Sequence, residues 1–284
     1  MSELTRRVLF ALVGAPVTVA LIYFGGWILA AALGAVSAVC AWELYRMARS
    51  GGSNPMSGIG IVLAAAIPLL VHAHYLGVFS LSLAQASLIL LALIASVIWL
   101  RGVAGRPLLS VSVTLFGVFY AALGTFIYPL RYHDYAVGAI AGTALVMFPI
   151  GVTWGTDIGA YAFGRMFGKR KLMPSVSPGK TVVGAIGGLV AAIASTWFYI
   201  AVFLEPFGHL ALSPLGMVLF GLAISIAGQT GDLAESLLKR EAGVKDSSSL
   251  LPGHGGLLDR WDSLLFTIPV AYLIVGYLLI PAPG

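Results

Sequence analysis

Charge is the scarcest property of this 284-residue sequence: Asp, Glu, Lys and Arg together make up 10% of it, where soluble domains carry about a quarter. So few charges cannot coat a water-exposed surface, which excludes an ordinary soluble globular protein. Cysteine is nearly absent as well. Cys40 stands alone in an apolar run, so neither an intrachain disulfide nor a cysteine-rich metal centre can be built. Fixed-period repeats, low-complexity tails and a soluble polar domain are also missing. What fills the chain is hydrophobic: 59% of the residues, with a mean hydropathy of +0.98. A membrane helix needs about 20 apolar residues, and the length accommodates several.

Apolar runs between breakers predict nine helices, near 8–24, 27–45, 58–79, 82–100, 108–129, 138–163, 182–204, 214–237 and 261–280. The runs are too long for transmembrane strands and lack their alternation. Backbone crossing a bilayer must satisfy its own hydrogen bonds, so the expected fold is all-α, a polytopic membrane helical bundle. The whole of 1–284 is read as a single integral membrane domain, with scaffold spans in 1–136 and catalytic spans plus a cytoplasmic loop in 137–284. With the N-terminus cytoplasmic, fifteen of the sixteen lysines and arginines fall on the cytoplasmic side, and only Arg131 falls on the other. That bias follows the positive-inside rule and supports an odd number of spans. It also assigns the net charge of +5 to membrane topology, with no nucleic-acid partner expected. Arg6-Arg7 before an apolar run also looks like a signal peptide, but the run exceeds a usual h-region and the charge parity needs this first span.

Acidic residues divide the chain. Residues 1–136 hold three, Glu3, Glu43 and Asp134, which are read as span-end residues; 137–284 hold eight. An ionised group deep in a membrane helix costs roughly 2.5–3.5 kcal/mol, so Asp157 and Asp232 call for a reason. Asp157 is read either as a hydrogen-bonded structural carboxylate helped by Thr153, or as lining a site. Asp232, Glu235, Ser236 and Lys239 fall on one helical face, where a Glu235–Lys239 pair would be purely structural and would leave Asp232 unexplained. The segment from Lys239 to Ser263 is the densest polar stretch. Its Pro252-Gly253-His254-Gly255-Gly256 run can present backbone N–H groups to an anion ahead of a helix, and Asp259 and Asp262 at i and i+3 can share a face and one hard cation. His254 has no second His or Cys nearby, which argues against zinc. Ser177-Pro178-Gly179-Lys180-Thr181 resembles the end of a Walker A loop, but Pro174 stands where the first glycine belongs. Lys180 is still placed to grip an anion, whereas Lys169, Arg170 and Lys171 are read as topology and lipid-headgroup charges.

The string from Ser236 to Asp262, SLLKR-x4-KDSSSLLPGHGGLLDRWD, resembles the signature of the phosphatidate cytidylyltransferase (CDP-diacylglycerol synthase) family. DIGAYAFGRMFGK from Asp157 and SPGKT from Ser177 look like further family landmarks in the expected order; Trp261 departs from the aliphatic or smaller residue expected there. The resemblance implies transfer of CMP from CTP to phosphatidic acid, giving CDP-diacylglycerol and pyrophosphate, with Mg²⁺ and a second cation such as K⁺, in a multi-pass protein of the cytoplasmic (inner) membrane and as a homodimer. It implies a metal centre of Asp232, Asp259 and Asp262; Lys239 is expected, from its charge beside this centre, as a further catalytic residue that neutralises phosphate. Ser177, Lys180, Thr181, Arg240, Lys245, Asp246, His254, Gly255, Gly256 and Arg260 are expected around the substrates, with Asp157 lining the site. The attacking phosphomonoester, with its second pKa at about 6, is already largely anionic at neutral pH and needs no strong base. Two other readings compete: a CTP-dependent kinase of a polyprenol- or phytol-type alcohol, which would release CDP, and a secondary transporter, whose carboxylates would sit in broken helices near the midplane.

Overall fold

The computed structural model describes residues 3–100, 102–134, 138–251 and 255–282, with side chains from residue 12 onward. Helices α1 (Glu3–Phe24), α2 (Gly26–Ser50), α3 (Ser57–Tyr75), α4 (Leu83–Leu100), α5 (Pro107–Ala122), α6 (Ile127–Arg131), α7 (Gly138–Phe167), α8 (Val182–Tyr199), α9 (Pro214–Glu241), α10 (Leu258–Trp261) and α11 (Leu264–Leu278) follow the predicted runs closely. A 3₁₀ turn joins α5 to α6, and π-helical turns over Ile200–Gly208 extend α8. Among the described residues, eight helical stretches are long and apolar enough to cross a membrane. The remaining one, α1, has a described apolar part of Leu12–Phe24. The protein is thus a polytopic helical membrane protein. Its exceptions to pure helix are two short antiparallel ribbons, β1 (Lys171–Met173) with β2 (Ser177–Thr181), and β3 (Leu210–Leu212) with β4 (Leu279–Pro281).

Two compact units interleave along the chain. The first comprises Met1–Gly25, Phe126–Leu237 and Arg260–Gly284; the second comprises Gly26–Thr125 and Leu238–Asp259. In the first unit, Phe148 of α7 stacks on Phe220 of α9 with ring centroids 4.2 Å apart, and Leu145, Ile224, Leu265 and Ile268 complete a buried core. Helices α7 and α8 meet along a seam with almost no side chains. A Cβ on Gly159 would overlap the Ala191 side chain, one on Gly184 would lie 2.8 Å from the Ala160 carbonyl oxygen, and one on Gly187 would lie 2.5 Å from Phe163 Cβ. Such small-residue seams let backbones approach in a membrane, where no hydrophobic force separates protein from lipid.

Arg131, the one basic residue placed on the far side, is buried and structural. Its Nε donates to the Ile22 carbonyl at 2.8 Å and its Nη2 to the Tyr23 carbonyl at 3.1 Å. It therefore satisfies the last turn of α1, where carbonyls lack helical partners and the dipole favours a cation. In the second unit, Tyr45 of α2 packs into the space left by Gly60 of α3 and Gly117 of α5, and its hydroxyl donates to the Thr114 carbonyl at 2.7 Å.

Candidate functional site

Functional side chains of the first unit converge on a cavity of about 540 Å³ lined by α7, the β1–β2 ribbon, α8 and α9. Ser177–Thr181, expected as a turn, is strand β2, tied to β1 across the Lys171–Thr181 pair. Thr181 is the N-cap of α8, its hydroxyl accepting from Gly184 N–H at 3.1 Å. A β-region residue with a short hydroxyl is what that position favours, and it commits Thr181 to structure while delivering Lys180 to the cavity. There the Lys180 ammonium lies 2.6 Å from Asp232 Oδ2, with the two side chains 25% and 34% exposed. The other Asp232 oxygen carries only a long contact, 3.4 Å, from the Ser236 hydroxyl. One turn earlier on α9, Gln229 donates to the Ala185 carbonyl at 3.2 Å and to Ser225 Oγ at 3.0 Å, cross-linking α9 to α8.

Asp157 opens onto the same cavity. Thr153, invoked as its hydrogen-bond partner, instead donates to the Pro149 carbonyl one turn back, so the structural reading of Asp157 loses its support. Arg165 and Lys171 also line the cavity. The sequence assigns Lys171 to the headgroups, because a run of three basic residues at a span end carries no signal separating one from its neighbours.

In the second unit, the loop after α9 is organised by two carboxylates. Gly243 adopts φ +68° just past α9, letting Val244 N–H bond back to the Lys239 carbonyl at 2.9 Å; this is a Schellman-type stop that leaves Lys239 in the last helical turn. The Lys239 ammonium lies 2.7 Å from Asp259 Oδ1, with side-chain exposures of 12% and 6%. Asp259 Oδ2 accepts from Ser247 N–H at 3.0 Å, Ser247 Oγ at 3.0 Å and Gly256 N–H at 2.8 Å. Glu43 of α2, 0% exposed, accepts from the hydroxyls of Ser247 and Ser248 and from the N–H groups of Leu257 and Leu258.

Several expectations change as a result. The glycine-rich segment is expected to offer its N–H groups to phosphate; that of Gly256 goes to Asp259 and those of Leu257 and Leu258 after it go to Glu43, while Pro252, Gly253 and His254 lie outside the described residues. A helix carrying Asp259 and Asp262 on one face is interrupted between them: α10 ends at Trp261, Asp262 Oδ1 accepts from Ser263 N–H at 2.6 Å, and α11 starts at Leu264. Short polar side chains bonding local backbone compete with helix in this way. Lys239 pairs with Asp259 across the loop. Asp232 and Asp262 belong to the first unit and Asp259 to the second, and no cluster of three or more His, Cys, Asp or Glu side chains able to hold a metal occurs among the described residues. Arg240, Lys245, Asp246 and Arg260 are exposed, Ser177 and Gly255 are half-buried, and His254 lies outside the described residues. Sequence reasoning missed Glu43 as more than a span-end acid. The available signal was a carboxylate flanked by apolar residues in the motif AWELY, which no partner in its own half of the chain explains.

A family model described as the cytidylyltransferase family matches residues 5–278. The phosphatidate cytidylyltransferase of Synechocystis sp. is 31% identical across 97% of this chain and 97% of its own. Those of Bacillus subtilis and Haemophilus influenzae are 44% and 42% identical over 134 and 147 residues, in alignments that span 48% of each of those proteins. The matched segment is thus about half the length of these last two relatives, while the family match runs nearly from end to end of this chain, which therefore belongs to the cytidylyltransferase family.

Proposed function

We propose that this protein is a phosphatidate cytidylyltransferase of the cytoplasmic membrane, transferring CMP from CTP to phosphatidic acid and releasing pyrophosphate. The observation that carries the reading is the cavity holding Asp157, Lys180 and Asp232 among helices of membrane-crossing length. One substrate stays in the bilayer and the other in the cytosol, so charge must be concentrated where apolar helices meet water. A phosphate oxygen of phosphatidate bonds to the α-phosphorus as the bridging P–O bond breaks, and pyrophosphate leaves with the electron pair.

Two anions must be brought together, so the protein's task is cancellation of charge and alignment rather than proton abstraction. Lys180 supplies a cation whose position is fixed by Asp232 and by the strand-to-helix junction at Thr181. Lys171 and Arg165 add positive charge along the same wall. Lys239, held by Asp259 near the end of α9, is the second fixed cation, and the exposed Arg240, Lys245 and Arg260 attract nucleotide. The donor set fits a hard divalent ion: Asp157 and Asp232 both line the cavity, and Mg²⁺ is typically held by one or two carboxylates together with substrate phosphates. Bound there, Mg²⁺ would supply charge stabilisation on the triphosphate. Asp259 is the weakest of the three expected ligands, since its lone pairs already have four donors. A homodimer and a second cation such as K⁺ belong to the same proposal.

The test uses purified protein in detergent with CTP labelled at the α-phosphate, phosphatidate and Mg²⁺. Label in lipid with one pyrophosphate per transfer is expected, and chelation of the metal should stop both. Release of CDP in place of pyrophosphate would shift the reading to a lipid kinase, and neither product from folded protein would shift it to a transporter.

A further inference from the structure

Glu43 has no place in the proposed reaction, yet its carboxylate is fully buried and surrounded by donors. Each of its oxygens lies within hydrogen-bond distance of two donors; one of the four, the Ser247 hydroxyl, shares its single proton with Asp259. Oε1 receives Ser248 Oγ and Leu257 N–H at 3.0 Å; Oε2 receives Ser247 Oγ at 3.1 Å and Leu258 N–H at 2.6 Å. A carboxylate offers about four lone-pair sites, so the side chain is saturated, and among the described residues no lysine or arginine is ion-paired with it. All four donors come from residues 247–258, more than two hundred positions along the chain.

The arrangement does not end at Glu43. The Ser247 hydroxyl stands between Glu43 Oε2 and Asp259 Oδ2, at 3.1 and 3.0 Å, and Asp259 grips Lys239 through its other oxygen. A Cβ on Gly256 would strike both Ser247 Oγ and Glu43, so the loop backbone is pressed directly against the carboxylate. We infer that Glu43 is a positioning residue for the Lys239 cation, acting through Ser247 and Asp259: α2 supplies a fixed anchor, the loop is wrapped on it, and the ammonium is set at the end of α9. The inference rests on the reading that Lys239 faces substrate phosphate.

The test is Glu43→Gln, which keeps shape but replaces one acceptor oxygen by an NH₂ group aimed at two donors. Small displacements of a charge-stabilising group cost about 100-fold in rate, so kcat per folded molecule should fall by about that factor while KM for phosphatidate changes little. Amide exchange at Gly256, Leu257 and Leu258 should accelerate. Ser247→Ala should cause a comparable loss, and the double variant should lose no more than either single one, because both act on one chain of contacts. Ser248→Ala, which leaves the Asp259 arm intact, should cost far less. A merely structural anchor would lower the yield of folded protein but leave kcat of the folded fraction and the Ser247 coupling untouched, and that result overturns the inference. So does exchange at wild-type rates. If wild-type protein transfers no cytidylyl group, the reading under Proposed function falls, and amide exchange alone then decides whether Glu43 orders the loop.

Discussion

Removing the charge of Asp259 separates two roles that the same residue could fill. In Asp259→Asn the Lys239 ammonium, 12% exposed, loses a partner that is itself 6% exposed, while Ser247 N–H, Ser247 Oγ and Gly256 N–H must share one amide oxygen. Breaking a buried ion pair by deleting one partner costs about 3–5 kcal/mol, because the survivor stays desolvated and uncompensated. Hydrogen bonds to a charged acceptor are worth about 1.5–3 kcal/mol each, but the loop can open to water, so the pair sets the scale. Replacing both partners should be milder than replacing one. The assay is denaturant unfolding in detergent of Asp259→Asn, Lys239→Met and the double variant, alongside Mg²⁺ affinity by calorimetry. Asp259→Asn is expected to lose several kcal/mol and the double variant to recover a substantial part of it. A double variant no more stable than Asp259→Asn would refute the reasoning. Normal stability with lost Mg²⁺ affinity would identify Asp259 as a metal ligand and its contacts with the loop as incidental.

Lys180→Met should lower transfer activity at least about 100-fold by removing a fixed cation from the phosphate path, without loss of folded protein; activity within threefold of wild type would take Lys180 out of the mechanism. Arg131→Met strands the Ile22 and Tyr23 carbonyls and should cost about 1–3 kcal/mol per carbonyl left without a partner, measured as a fall in the unfolding midpoint in detergent with kcat unchanged. Gly187→Ala places a methyl 2.5 Å from Phe163 Cβ and should cost about 1–3 kcal/mol through overpacking, seen as lower thermal stability. A neutral result would mean that α7 and α8 are not held at this spacing.

The spans were legible because bilayer thickness and internal hydrogen bonding leave long apolar runs few alternatives, and α2 to α5 and α7 to α9 begin within two residues of their expected positions. What escaped was decided by distant partners. Ser177 to Thr181 reads as a Ser/Pro/Gly turn, yet pairing with Lys171–Met173 makes it a strand of a ribbon. The run 261–280, with Asp259 just ahead of it, reads as one helix, yet the chain is helical over Leu258–Trp261 and again from Leu264, with Asp262 accepting from Ser263 N–H between them. Of the candidate site, Asp157, Lys180 and Asp232 were found because charge inside an apolar run is costly enough to flag itself. Glu43 bears the same flag, but its meaning lies with Ser247, Ser248, Leu257 and Leu258, and no spacing rule connects positions so far apart. Gly256 misleads for the opposite reason: a glycine-rich loop advertises free N–H groups, and the sequence does not show that Asp259 already takes the one on Gly256.

The seam between α7 and α8 bears on how this cavity could be altered. Where two helices touch through backbone, rotamer changes cannot adjust the fit, and any added carbon pushes whole helices apart. The wall built from Gly164, Gly168 and Gly184 therefore behaves like a cast surface, indifferent to the side-chain drift that reshapes ordinary pockets. Selectivity would have to be retuned at side chains that line the cavity beside that wall, among them Asp157, Tyr161, Lys171 and Gln229. A variant library confined to those four positions samples the cavity's adjustable chemistry, while substitutions along the seam chiefly sample whether the protein folds.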